Sequence, residues 1–427
     1  MDNIEKARKL IIDEGKNVVI LGKAGTGKST FLQSIVAELD NNGLKTVVLA
    51  PTGVAAINAK GQTIHSFFGL ELNPLPKSKN LRAVMGTIRD IDVVIIDEIS
   101  MVRADILDTV NDLLQVCRNK RGIAWGGVQM IMMGDPLQLP PVIKTEDEVI
   151  LKTKYYNESY FFFDAYAYKQ DETKTIVEFD KVFRQKDECF KSVLNNIRNA
   201  NATDDDYSLL NSRDVNRFPT LKATLNENKN YITLCPYNAQ ADTLNQVFLD
   251  KIDSEKVVYR AEVRDQFNPK DTILPETLEL KLGCRVMICI NGEEYYNGML
   301  GVVKRLNRND VVVTTDEGND VTIPKKTIES FKYMNKNGRV EKVMKGTFTQ
   351  IPLKLGYAIT VHKSQGLTFD NMLMITDKGV FAPSQLYVAL SRVRSLDGLY
   401  LSSSITPDMI FIDERIKSYM DKIGCVE

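Results

Sequence analysis

The sequence predicts an α/β protein made of two parallel-sheet halves, the second interrupted by a small β unit. Three observations predict it. The runs "NVVIL" (17–21), "STFLQSIVAEL" (29–39) and "TVVLA" (46–50) read as strand, helix and strand. Strands that are apolar at every position belong to parallel sheets with both faces covered. The same alternation returns after about residue 175, where "YITLCP" (231–236), "NMLMIT" (371–376) and "GLYLS" (398–402) read as buried strands. Between them the texture changes to "GVVKRL", "DVVVTTD" and "DVTIP", separated by Asn, Asp and Gly turns, which is the pattern of an antiparallel meander or small barrel. The predicted organisation is a first RecA-like half over 1–175, a second over 176–283 with 353–427, and an inserted β domain over 284–352.

The elements follow in order. Asp2 with Glu5 three residues on resembles a capping box, and Ile4, Ala7 and Ile11 share one helix face that ends near Gly15. Phe31, Leu32, Ile35, Val36 and Leu39 form the stripe of a second helix, and "NNG" turns the chain into the next strand. "DVVIID" (92–97), a helix around 103–118 and "VQMIMMG" (128–134) continue the pattern, with later helices near 239–251 and 383–393.

Composition narrows the function classes. A 43% hydrophobic share with 26% charged residues excludes wholesale disorder. The start lacks an apolar signal core, and no apolar run reaches about 18 residues, so a soluble cytoplasmic protein without a targeting or membrane segment is expected. Cys117, Cys189, Cys235, Cys284, Cys289 and Cys425 form no C-x-x-C pair, and there are two histidines, which argues against structural zinc. The net charge of −1 offers no global field for nucleic acid, so any such contact must be local. Lys325, Lys326, Lys332, Lys336, Arg339, Lys342 and Lys345 make one basic run, which reads equally as a solvated face.

"GKAGTGKS" (22–29) fits G-x-x-x-x-G-K-[ST] between a strand and a helix. Gly22, Ala24, Gly25, Thr26, Gly27, Lys28, Ser29 and Thr30 would cradle phosphates with backbone N–H groups at the helix N-terminus, with Lys28 on the β/γ-phosphates and Ser29 on Mg²⁺. "VVIIDEIS" (93–100) ends an apolar strand in two carboxylates, Asp97 for the metal shell and Glu98 as general base on water. That division favours hydrolysis over transfer to a metabolite. Gln138, four residues past Gly134, could sense the γ-phosphate. A metabolite kinase and an ATP-switched DNA clamp are the competing classes.

The ordered motifs "GKAGTGKS", "APTGVAAINAKGQTIHSFF", "DEISM", "GDPLQLPPV", "VFRQ", "AITVHKSQGLTFD" and "YVALSRVRS" resemble those of PIF-type helicases, relatives of the RecD-like superfamily 1 helicases, over about residues 15–402. The resemblance implies an ATP- and Mg²⁺-dependent motor moving 5′ to 3′ on single-stranded DNA. It further implies opening of single-strand/duplex junctions, G-quadruplexes and RNA–DNA hybrids, and a monomer in solution. It gives Gln138 the γ-phosphate sensor and makes Arg184 and Arg392 the arginines that reach the nucleotide from the second half. The chain is similar to compact bacterial or phage-type members.

The two histidines sit in nearly the same phrase, "TIHSFFG" (63–69) and "TVHKSQG" (360–366). The resemblance puts both along the strand track, with Pro51, Thr52, His65, Phe67, His362, Lys363 and Ser364 as DNA-contact candidates. Uncharged groups position a strand without gripping it too tightly to slide. A buried histidine bonded to a local carbonyl is the alternative for each, and a core role is the alternative for Phe67 and Phe68. "GLELNPLPKSK" (69–79), in a wedge insertion of about 66–88, supplies Leu72, Pro74, Leu75 and Pro76 as a strand-separating wedge or, alternatively, a packing loop. The inserted β unit resembles the family's SH3-like module. One departure is clear: no glutamine precedes Gln33, so the family's adenine-reading glutamine is missing and use of other nucleoside triphosphates is expected.

Overall fold

The computed structural model describes residues 2–79, 81–141, 143, 145–155, 159–182, 187–227, 230–336, 339–377 and 382–424. The chain divides into two units, Met1–Phe183 with Glu329–Gly346 and Asp413–Glu427, and Arg184–Ile328 with Thr347–Ile412.

The first unit is built on six strands, β1 (Val18–Gly22), β2 (Thr46–Ala50), β3 (Gln62–Thr63), β4 (Val93–Ile96), β5 (Gln129–Gly134) and β6 (Thr175–Phe179), in the order β3-β2-β4-β5-β1-β6. Every pairing is parallel. Parallel neighbours need crossovers, and these are α2 (Lys28–Asn41), α3 (Gly53–Asn58), α4 (Ile64–Phe68), α5 (Leu81–Asp90) and α6 (Ala104–Cys117), with shorter pieces, while α1 (Asn3–Ile12) precedes β1 and covers the sheet. The apolar runs are continuous because both sheet faces are covered. Leu10 and Ile11 of α1 and Phe31, Leu32 and Ile35 of α2 pack on Val18, Ile20, Ile95, Ile131 and Met133. Asp2 caps α1 by accepting the Ile4 N–H at 3.3 Å.

The expected boundary at 175 moves. β6 pairs with β1 along its length, so the first sheet extends beyond it. The C-terminal helix Glu414–Lys422 also belongs to the first unit, where Tyr419 stacks on Phe163 at 4.3 Å and meets the Tyr168 hydroxyl at 2.6 Å. The insertion is likewise not one block. Its outer ribbon, 329–346, groups with the first unit, where Tyr333 accepts the Val48 N–H at 3.2 Å and donates its own N–H to Gln62 at 2.9 Å. β3 pairs with β2 only at Leu49 and Ala50, and Tyr333 satisfies the strand edge that β3 leaves open.

The second unit holds a four-stranded parallel sheet in the order Ala358–Thr360, Ile232–Cys235, Met372–Met374, Leu399–Leu401. It also holds a five-stranded antiparallel sheet, in the order Asp320–Pro324, Asp310–Thr315, Leu300–Leu306, Arg285–Ile288, Leu353–Leu355. Val286, Ile288, Val303, Val311, Val313, Val321 and Ile323 form the core of the latter. Cys117, Cys189, Cys235, Cys284 and Cys289 are free thiols. Among the described residues no helix is long and apolar enough to cross a membrane.

The N-terminal edge of the first sheet is tied at one buried carboxylate. Asp171, 2% exposed, accepts from Trp125 Nε1 at 2.8 Å, Asn17 Nδ2 at 2.9 Å and the Thr173 hydroxyl at 2.6 Å. Asn17 in turn accepts the Met130 N–H at 2.8 Å. Strands β1, β5 and β6 therefore enter the sheet from one polar node. Asp171→Ala strands the indole N–H and is expected to lower stability by about 3 kcal/mol. Urea unfolding followed by fluorescence of the single tryptophan, Trp125, reads this directly.

Candidate nucleotide and strand sites

The strand order brings the ends of β4, β5 and β1 side by side at the C-terminal edge, where open α/β sheets bind ligands. After β1 the chain turns through Gly25 (φ 79°) and Gly27 (φ 86°), left-handed conformations that favour glycine, and enters α2 at Lys28. Lys28 Nζ donates to the carbonyl oxygens of Gly22 at 2.6 Å and Lys23 at 2.9 Å, and the Thr26 hydroxyl donates to Lys23 O at 3.0 Å. Ala24 and Thr26 are buried in the loop, while Ser29 and Thr30 expose their hydroxyls at the head of α2. The result is a backbone cradle at a helix N-terminus, with its lysine on the loop.

Asp97 follows β4, and its N–H donates to Leu49 O at 2.9 Å. Burial pushes its carboxyl pKa up, against the Glu98 N–H bonded to Oδ1 at 3.0 Å and the nearby Lys28 charge. Glu98 is left-handed (φ 54°, ψ 47°), which costs a non-glycine residue about 1 kcal/mol or more and turns it out of the strand direction. β5 ends at Gly134, where a Cβ would lie 2.9 Å from Ile99 Cγ2 and 3.0 Å from Ile99 N, so only a glycine lets β5 pass the carboxylate segment this closely. Asp135, 1% exposed, accepts the Leu137 N–H at 3.2 Å and Gln138 Nε2 at 3.3 Å, fixing the direction of Gln138. Sequence reasoning assigned Asp135 no role; a carboxylate two residues before a leucine at a strand end was its signal.

β2 and β3, next in the sheet, carry the first strand candidates. Pro51 is half-buried and Thr52 exposed, and Thr52 caps α3 by accepting the Ala55 N–H at 3.2 Å. His65 is half-buried on α4, and burial, then the Arg103 charge, lowers its pKa while Asp105 raises it. Phe67 is a correction. It is 3% exposed, edge-on to Phe68 at 4.8 Å and to Tyr333 at 5.9 Å, so it is a core ring with no free face for a base.

In the second unit His362 is half-buried with its pKa lowered by burial, and Lys363 is exposed. Ser364 is also corrected: it is fully buried and its hydroxyl donates to Val361 O at 2.7 Å, holding the turn rather than facing a strand. Arg392 is 2% exposed and donates to Val388 O at 2.9 Å and Ser391 Oγ at 2.7 Å. Arg184 lies outside the described residues. Of the basic run, Lys342 is tied to Lys60 O and lies over the Phe331 ring at 4.4 Å, which removes it from a free basic face.

The loop 69–79 closes on itself. Lys79 N–H donates to Gly69 O at 2.8 Å, Glu71 N–H to Lys77 O at 3.1 Å, and the Ser78 hydroxyl to Phe68 O at 2.9 Å. Leu72 is 83% and Leu75 37% exposed, but Pro74 is half-buried and Pro76 is buried against α6. The apolar tip is thus Leu72 with Leu75, and Pro76 belongs to the anchor.

Both imidazoles are expected to titrate below their ordinary 6.5 in two-dimensional NMR of the ring nitrogens. The lowered folded pKa means that the unfolded chain binds more protons once pH falls below 6.5. Acidification therefore costs stability down to the folded pKa, below which no further loss comes from these rings. Gly134→Ala is expected to leave the fold intact by circular dichroism and to reduce nucleoside triphosphate hydrolysis by about tenfold or more, because the displaced segment carries Asp97 and Glu98.

Residues 2–207 match the family model described as PIF1-like helicase. The chain is 30% identical over 419 residues to the ATP-dependent DNA helicase Pif1 of Bdellovibrio bacteriovorus, covering 95% of this chain and 88% of that protein. It is similar to the crystal structure of Bacteroides sp. Pif1 in complex with ADP-AlF4, at a TM-score of 0.89 and 37% identity over 99% of this chain and 97% of that one. It is also similar to Bacteroides Pif1 bound to single-stranded DNA, at a TM-score of 0.68 and 37% identity, over 99% and 96% of the two chains. Identity at this level along nearly the full length of both partners shows that the chain belongs to the PIF1-like helicase family.

Proposed function

We propose that the chain is an ATP-dependent DNA helicase that moves 5′ to 3′ along single-stranded DNA and opens the duplex ahead of it. The observation that carries this reading is the strand order of the first sheet. β4, β5 and β1 end in Asp97 and Glu98, Asp135 and Gln138, and the phosphate loop, while the adjoining β2 and β3 end in Thr52 and His65. A nucleotide held at three strand ends therefore shares its hydrogen-bonded ladder with the candidate strand contacts at the next two. Small changes at one set reach the other through rigid sheet, without an intervening loop.

In this reading Lys28 exchanges the Gly22 and Lys23 carbonyls for β/γ-phosphate oxygens, and the loop N–H groups bind the remaining phosphate charge. Glu98 orients and deprotonates the attacking water, and Gln138 reports the γ-phosphate. Arg392, with Arg184, supplies positive charge where it develops on the transferring phosphoryl group. Ser29 and Asp97 fit a magnesium ion: an exposed hydroxyl and a half-buried carboxyl whose raised pKa a divalent cation would bring down. Bound there, the ion supplies charge neutralisation on phosphate oxygens. Pro51, Thr52, His65, His362 and Lys363 contact backbone phosphates and sugars of the strand. Leu72 and Leu75 wedge the junction. Action on G-quadruplexes and RNA–DNA hybrids, a monomeric state and a bacterial or phage-infected cytoplasm follow from the family resemblance and belong to the same proposal. Asn3, Ile4 and Glu5 stand where relatives read adenine, so GTP and CTP are expected to be hydrolysed alongside ATP.

Steady-state hydrolysis tests the reading, with unwinding of duplexes carrying a 5′ or a 3′ single-stranded tail. Single-stranded DNA is expected to stimulate the wild type, and Lys28→Ala to lower hydrolysis by at least about 100-fold. Opening is expected from the 5′ tail alone. DNA-insensitive hydrolysis with neither duplex opened would point to a phosphotransferase or a clamp instead.

A further inference from the structure

We propose that Arg103 and Asp105 are positioning residues that hold the 69–79 loop as a rigid strand-separating edge and join it to the helix bearing His65. The proposal rests on the reading of that loop as a wedge. Asp105 stands near the head of α6 with its side chain fully buried. Its Oδ1 accepts Arg103 Nε at 2.9 Å, and its Oδ2 accepts both Arg103 Nη2 at 2.9 Å and the Leu75 N–H at 2.8 Å. Arg103 Nη2 also donates to Asn73 O at 3.0 Å, and the Thr109 hydroxyl lies 3.2 Å from Pro76 O. Two backbone groups, the Asn73 carbonyl and the Leu75 N–H, are gripped by one helix end, and the Thr109 hydroxyl, which donates to Asp105 O at 2.8 Å, lies beside Pro76 O. Leu75 is held there in the left-handed region (φ 54°), where a leucine does not settle unaided.

The loop's root closes the connection. Leu70 N–H donates to His65 O at 2.8 Å, and the Gly69 N–H caps α4 on the same carbonyl. The charges of Arg103 and Asp105 both act on the His65 imidazole. Arg103 itself lies two residues past the turn Ile99–Met101, separated from it by Val102, after Asp97 and Glu98. One buried fork therefore touches the wedge backbone, lies beside His65 and continues the carboxylate segment. A buried ion pair is a poor source of stability compared with apolar packing, but a bidentate arginine fork fixes geometry. What it fixes here is an edge that must push on paired bases without yielding.

The test compares four variants for fold, single-stranded DNA affinity, DNA-stimulated ATP hydrolysis and unwinding of a forked duplex. In Asp105→Ala and in the double variant Arg103→Met with Asp105→Leu, which leaves no stranded charge, hydrolysis and affinity are expected to stay within about twofold. Unwinding is expected to fall about tenfold or more, since a small misplacement at an acting group costs on that scale. Asp105→Asn, which can still accept the Leu75 N–H, is expected to retain more unwinding than Asp105→Ala. The fourth variant, Leu72→Ala with Leu75→Ala, tests the wedge alone. Normal unwinding by this tip variant sinks the wedge reading whatever the fork does. A defective tip variant beside normal unwinding in the folded double variant overturns the positioning role, as does a loss of hydrolysis in step with unwinding.

Discussion

The parallel register of β4, β5 and β1 is the constraint on which the rest depends. Ile96 stands opposite Met132, and Leu21 opposite Gly134, so Asp97, Asp135 and the phosphate loop emerge in one row. A slip of one residue would turn each of these strands inside out and scatter the row. The register is held at both ends. At the N-terminal edge the Asp171 node binds the entries of three strands. At the C-terminal edge the contact of Gly134 with Ile99 lets β5 and the carboxylate segment approach to a distance that any side chain would prevent. Burial of the apolar faces drives the sheet together, but these two polar and steric devices decide its alignment.

That alignment also explains how a chain of net charge −1 can manage polyanions. Backbone N–H groups at the head of α2 and one lysine, Lys28, are concentrated on the loop that would cradle phosphate charge. Apart from Lys363, the candidate strand contacts carry no fixed charge: Pro51, the Thr52 hydroxyl and two imidazoles whose pKa burial lowers. Binding through such groups is less steeply salt-dependent than binding through a lysine-rich face, and it leaves the strand free to move. The strain stored at Glu98 fits the same pattern, because an unfavourable backbone persists where its surroundings over-determine it.

Much of the first half was legible in sequence for a physical reason. A strand buried on both faces is written as an uninterrupted apolar run, and a phosphate loop is written in glycines between a strand and a helix. β6 was harder, because "TIVEF" carries a glutamate and lies at the sheet edge. The helix Glu414–Lys422 buries just Ile416 and Met420, and its place against Phe163 is a long-range fact that local pattern does not encode. Phe67 and Ser364 misled for opposite reasons. An aromatic beside a candidate contact suggests stacking, but the five-residue α4 turns both its phenylalanines inward. A serine after histidine and lysine suggests a phosphate contact, but a single 3-10 turn points it at its own backbone. Asp105 left no motif at all, since an acid in the first turn of a helix ordinarily reads as a dipole partner.

On the proposed wedge reading, the 69–79 loop gives a reason for burying a charge pair beneath an exposed segment. An edge that separates strands needs exposed apolar side chains, and an exposed loop with few buried contacts is the part of a fold most prone to move. Apolar packing cannot stiffen Leu72, because the same surface must stay free. Stiffness has to come from the backbone beneath it, and backbone groups are gripped by hydrogen bonds. A neutral acceptor could take one N–H. A carboxylate locked in a guanidinium fork takes the Leu75 N–H and, through the fork's other edge, holds the Asn73 carbonyl as well. The buried charge pair is then the least costly way to make a soft segment hard while leaving its apolar face outside.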